Sequence, residues 1–155
     1  MGKTDYYDDP TAPAANSLVV AVAVVVLDDQ GRILLIQRTD NGLWALPGGG
    51  QELGESVSQA GVRETREETG LEVEVTGIVG VYSDPRHVIA YDDGEVRQEY
   101  SLCLRARATG GELATSDESR RVCWIEPADI DQLDMHPTMR RRVQHGLAQQ
   151  APHVD

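Results

Sequence analysis

Residues 18–27 carry neither a charge nor a hydroxyl, and six of the ten are valine. A membrane-spanning helix needs about 20 apolar residues, so a run this short does not cross a bilayer. Its β-branched side chains favour a strand buried inside a protein instead. The chain must therefore enclose that strand, and with no Phe among its 155 residues the enclosing core is aliphatic. A chain of this length has room for one domain. Residues 1–16 hold Asp5, Asp8, Asp9 and two prolines but no apolar stretch. They are expected to form a flexible tail rather than a secretion signal, with the domain over 17–150 and a cytoplasmic location.

Turn residues divide the rest. Asp28-Asp29-Gln30-Gly31 predicts a hairpin that returns through 32–38, and Thr39-Asp40-Asn41-Gly42 predicts the next turn. Gly48-Gly49-Gly50 would be costly inside a helix or strand, so the triplet marks a sharp turn or a close approach of the backbone to something else. Ser56 with Gln59 three residues on matches a capping box and Gly70 a helix stop, which predicts a helix over 56–69. Strands are expected over 71–82, 98–108 and 121–125, a loop over 83–94, and a helical tail after Pro127. Strands interrupted by one central and one terminal helix indicate an α/β fold, a mixed β-sheet sandwiched between helices. Cys103 and Cys123 lie in strand-like segments and read as two buried thiols.

A net charge of −12 excludes a basic footprint for nucleic acid. It also opposes any phosphorylated small molecule, unless a metal cation reverses the field locally. Within the central helix Glu64, Glu67 and Glu68 stand at i, i+3 and i+4, one face of a single turn. All-oxygen carboxylates with no nearby Cys or His suit Mg2+ or Mn2+ rather than Zn2+. The other reading of such a cluster is a solvated acidic face. No Ser-His-Asp or Cys-His arrangement is visible, and His87, His136, His145 and His153 read mostly as surface residues.

The stretch from Gly49 to Glu55 and on through Arg63-Glu64-Thr65-Arg66-Glu67-Glu68-Thr69-Gly70-Leu71 resembles the Nudix box. That pattern runs Gly, five residues, Glu, seven residues, then Arg-Glu-U-x-Glu-Glu-x-Gly-U with U aliphatic. Gly49, Glu55, Arg63, Glu64, Glu67, Glu68 and Gly70 fill its fixed positions, and polar Thr65 stands at the first U. The resemblance implies a Nudix hydrolase fold and a metal-dependent attack of water on a pyrophosphate phosphorus, with metal neutralising phosphate oxygens and acidifying water. It places the metal on Glu64 and Glu68, with Glu67 as a further ligand or the base and the Gly49 carbonyl as another ligand. Arg63 and Glu55 would pair or orient the ligands, and Glu52 would reach the metal through water or sit in solvent. Glu99 is a second candidate base. Arg38 would bind phosphate or end its strand exposed, and Trp44 and Tyr100, with Tyr91, are candidates for stacking on a base. Arg140-Arg141-Arg142 reads as a solvated helix face.

The implied substrate is a small nucleotide, either an ADP-ribose-like nucleotide sugar or a nucleoside triphosphate handled in the MutT-like manner. Pro85 sits about where the family's ADP-ribose hydrolases carry a proline. Dimers are common in the family, so a homodimer is compatible, with no membrane or nucleic-acid partner. The alternative is a nucleotide-sensing module that keeps the fold without chemistry, against which the complete set of glutamates argues.

Overall fold

The apolar run is the middle of the molecule. In a computed structural model describing residues 2–155, it forms strand β2 (Ser17–Val26), covered on both faces. Side chains alternate across a strand. Ala23 and Val25 accordingly pack with Val143 and Met135 on one side, while Val22, Val24 and Val26 pack on the other with Ala60 and Val62 of the central helix.

In chain order the elements are β1 (Lys3–Tyr7), β2, β3 (Ile33–Arg38), β4 (Trp44–Ala45), β5 (Gly48–Gly50) and α1 (Val57–Thr69). There follow β6 (Leu71–Tyr82), β7 (His87–Tyr91), β8 (Val96–Gly111) and β9 (Ser119–Ile125), then a 3-10 turn (Pro127–Gln132), α2 (Pro137–Ala148) and β10 (His153–Val154). One mixed sheet runs β1-β7-β8-β2-β5, with the far half of long β8 pairing β6 and β6 pairing β10; a second, antiparallel sheet runs β4-β3-β9. Strands β2 and β8 are parallel over ten residue pairs, from Ser17 with Arg97 to Val26 with Ala106. The expected arrangement of a mixed sheet between helices is what forms.

Three expectations are corrected. The turn after β2 exists, with the Asp28 N–H donating to the Arg32 carbonyl at 2.9 Å. No hairpin forms, however: only Leu27 and Ile33 bridge, after which β2 joins one sheet and β3 the other. The supposed tail is ordered over β1, which pairs antiparallel with β7 from Lys3 with Tyr91 to Tyr7 with His87; Met1 lies outside the described residues. The same pairing makes a strand of residues 87–91, inside the expected loop.

Helix α1 follows its local signals. Ser56 accepts from the Gln59 N–H while the Gln59 side chain accepts from the Ser56 N–H, completing the capping box. Gly70 ends the helix at φ 81°, a left-handed conformation that costs glycine little. Thr65, polar where an aliphatic residue is the family norm, is fully buried and donates its hydroxyl to the Gly61 carbonyl at 2.8 Å, so no polar group is stranded. Among the described residues no helix is long and apolar enough to cross a membrane.

Candidate active site

The glycine triplet runs against the acidic turn of α1. Strand β5 pairs with β2, and a Cβ on Gly48 would lie 2.9 Å from the Ala23 Cα, so only glycine lets these backbones meet. A Cβ on Gly49 would stand 2.6 Å from the Glu64 carboxyl carbon, whereas Gly50 has nothing within 4 Å. Close approach therefore explains two of the three glycines. The sharp turn read from the triplet is absent, since all three are extended.

Two of the three helix carboxylates turn into the protein. Glu68 is 4% exposed, and one of its oxygens accepts from the Gly48 N–H at 2.9 Å. It has no basic hydrogen-bond partner among the described residues. The Glu64 side chain is 12% exposed, while that of Glu67 is 58% exposed and faces solvent. Arg63 gathers the rest. Its Nε donates to Glu55 at 2.5 Å, Nη1 to Glu64 at 2.9 Å and to Glu67 at 3.2 Å, and Nη2 to the Gly50 carbonyl at 3.0 Å. Glu52 is farther from it, at 3.9 Å. Arg63 thus holds the glycine strand, the loop and the helix turn in one register.

The electrostatics follow from burial. Desolvation pushes the Glu68 carboxyl up to about 8; the Gly48 N–H and Arg38 oppose this, but Glu64 and Glu118 add to it. Glu64 is also raised, first by burial and then by Glu67 and Glu118, with Arg63 pulling the other way. Glu55 is held below its usual range by its hydrogen bond to Arg63. A buried carboxyl group that stays protonated for lack of a counter-charge is a site short of positive charge. The donor set is hard oxygen, and the missing side chain at position 49 lets the Glu64 carboxylate lie directly against the glycine backbone, so the residues present fit a divalent cation of the Mg2+ kind.

Glu118, just before β9, was not singled out in the sequence. It lies in a polar turn without periodicity, and only the tertiary fold brings it to the glutamates. The Thr39 N–H donates to its carbonyl at 3.1 Å, and the neighbouring Ser119 hydroxyl donates to the Glu68 carbonyl at 2.6 Å.

A cleft of about 270 Å³ opens beside this turn, with Gly49, Glu68, Glu118 and Arg38 at one end and Leu46 and Met139 among its apolar walls. Arg38 gives Nε and Nη2 to Asp40, at 2.9 and 2.7 Å, and keeps Nη1 free of that pair. Trp44 lines the cleft but is only 6% exposed and packs in the core, beneath the Arg121 guanidinium. Glu99 also lines the cleft, and its carboxylate stands 3.9 Å from Arg142. Two candidates are not brought here. Pro85 is exposed beside Asp8 and Gln98 in a separate groove, and Tyr100 falls on the face of β8 opposite Glu99 and Ser101. Two other readings are overturned by burial: Arg142 is 4% exposed rather than solvated, and His87 is 7% exposed rather than on the surface.

Comparison with known proteins bears on the whole chain. A NUDIX domain model matches residues 17–146. A MutT-like protein of Streptomyces ambofaciens is 37% identical over 146 residues, covering 94% of this chain and 86% of that protein. An ADP-ribose pyrophosphatase of Methanocaldococcus jannaschii is 38% identical over 122 residues, covering 73% and 66%. Among solved structures, an ADP-ribose pyrophosphatase from Streptococcus suis 89-1591 superposes with a TM-score of 0.69 at 22% identity, covering 88% of this chain and 98% of that one. A likeness at that identity speaks to the fold.

Proposed function

Because the chain belongs to the NUDIX family and is a Nudix hydrolase, we propose that it cleaves the pyrophosphate linkage of a nucleoside diphosphate joined to a further group, as in ADP-ribose or a nucleoside triphosphate. The observation that carries this reading is Glu68, a carboxylate buried beside Glu64 and Glu118 at the end of a cleft, with no basic group bonded to it.

In this account Glu64, Glu68 and the Gly49 carbonyl hold Mg2+ or Mn2+. Such a cation, when bound, neutralises phosphate oxygens and makes water more acidic. Water attacks phosphorus, the anhydride P–O bond breaks, and a nucleoside monophosphate leaves with the partner phosphate. Glu67 takes the water proton, since of the three glutamates it is the one open enough to pass a proton to bulk solvent. Arg63 holds Glu64 and Glu67 in place through its hydrogen bonds to both. Arg38 offers Nη1 to a substrate phosphate while Asp40 fixes the rest of its guanidinium.

The test is a panel of nucleotides assayed with and without Mg2+, with products identified, on wild type, Glu67→Gln and Glu68→Gln. Magnesium-dependent release of a nucleoside monophosphate, lost in both folded variants, is expected. Equal turnover by all three proteins would overturn the assignment.

A further inference from the structure

The same cleft carries groups that this reaction leaves unused. Asp5 of β1, His87 at the start of β7 and His136 at the N-cap of α2 come from three elements far apart in the chain. One potential ligand atom from each lies within 4.8 Å of the other two. The His87 Nε2 is 3.1 Å from a carboxylate oxygen of Asp5. The two imidazole rings stack at 5.2 Å between centroids, and Tyr7 closes edge-on against both. The His136 Nδ1 accepts the Thr138 backbone N–H at 3.3 Å and lies 2.7 Å from the Thr138 hydroxyl, so Nε2 carries the ring proton; ligation through Nε2 moves that proton to Nδ1, which then donates to the hydroxyl. Metal-ligating histidines are commonly held in this way.

We propose that Asp5, His87 and His136 form a second cation site, separate from the glutamates, that takes a borderline transition ion such as Zn2+ and leaves coordination positions open to the cleft. Two imidazoles with one carboxylate suit an ion of that class, whereas Mg2+ prefers oxygen alone. The two rings lie within 14° of parallel, so binding requires one of them to turn about χ2 before both nitrogens meet at one point. The cluster, Lys3 and Arg142 all line the cleft. Arg38 and Arg97 line it too; Asp40, Glu95 and Glu99 stand against Arg38, Arg97 and Arg142 at 2.7, 2.8 and 3.9 Å and offset their charges, leaving Lys3 as the cation the bound ion must tolerate. Asp5 lies outside the stretch that matches the NUDIX domain model, residues 17–146, so this ligand set is not a feature of the matched domain. An ion held here would offer a substrate oxygen a second anchor in the same cleft.

The competing explanation is structural: Asp5 merely ties β1 to β7, and His136 merely caps α2. Cobalt distinguishes the two without any reference to turnover. Untagged, metal-stripped protein is saturated with Mg2+ to occupy the glutamates and then titrated with Co2+, following visible d–d absorption. One equivalent is expected to bind, with affinity about tenfold or more weaker in His136→Ala, similarly weaker in Asp5→Asn, and unchanged in Glu68→Gln. Asp5→Asn sits on an exposed edge strand, so it keeps the test valid if loss of the cap unfolds the His136 variant. Absence of the band in wild type, its survival in both Asp5→Asn and folded His136→Ala, or its loss in Glu68→Gln would each overturn the proposal.

Discussion

Three neighbouring glycines should respond to the same substitution in three different ways. A methyl group at position 49 would lie 2.6 Å from the Glu64 carboxyl carbon and nearer still to its Oε1, where ordinary contact begins at 3.4 Å, so the carboxylate must retreat by about 1 Å. Displacements near 1 Å at a catalytic group cost about a hundredfold in rate, or about 2.7 kcal/mol of barrier. The fold should tolerate the change, because position 49 has no positive φ and the displaced group is the end of a side chain. Gly49→Ala is therefore expected to lose about 10²-fold in kcat/KM with little change in Tm. Gly50→Ala, with nothing within 4 Å, should keep wild-type activity and stability. Gly48→Ala, which would press on the Ala23 backbone from 2.9 Å, should lose stability first. Steady-state kinetics on a hydrolysed nucleotide and thermal melts separate these outcomes. A Gly49→Ala protein with wild-type kcat/KM, or a Gly50→Ala protein equally impaired, would refute the reasoning.

Protonation of Glu68 gives a stability signature. Its folded pKa, about 8, lies above the ordinary 4.5, so between those values the folded state keeps a proton that the unfolded state has lost. Metal-free protein should therefore lose stability as pH rises through that window, by an amount on the order of 1.4 kcal/mol per unit of pKa shift. Glu68→Gln, which still accepts from the Gly48 N–H, should lack that component, and Mg2+ should offset it in wild type; parallel pH profiles of Tm for the two metal-free proteins would count against it. Arg63→Ala frees Glu55, Glu64 and Glu67 together and should weaken Mg2+ by about 10–100-fold in a metal titration of activity. Ser56→Ala removes the cap from α1 and should cost about 1 kcal/mol in denaturant melts while leaving kcat unchanged.

What could be read from the sequence was what local rules determine. The buried strand follows from ten apolar residues, and α1 from its capping box, its terminal glycine and the face shared by Glu64, Glu67 and Glu68. Pairing partners are not local. Asp28 to Gly31 turns the chain, yet β2 and β3 enter different sheets because they pair with β8 and β9, far along the sequence. Strands β1 and β7 each have five residues and gain stability by pairing with each other, so neither stands out alone. Arg140, Arg141 and Arg142 look alike in sequence, but successive helix residues are rotated by about 100°. The third of them turns inward, against Tyr82 and Glu99. Glu118, His87 and His136 belong to no spacing pattern. They become neighbours of the cleft only because loops and caps from separate elements meet there.

The central claim is that a divalent cation sits on the carboxylates of one turn of α1 and that hydrolysis depends on it. Mn2+ titration followed by electron paramagnetic resonance, run beside nucleotide turnover on the same samples, addresses it directly. Wild type should take up Mn2+ in proportion to the activity it gains, and Glu64→Gln and Glu68→Gln should lose both together. Tight Mn2+ binding and full turnover in the doubly substituted protein would contradict it.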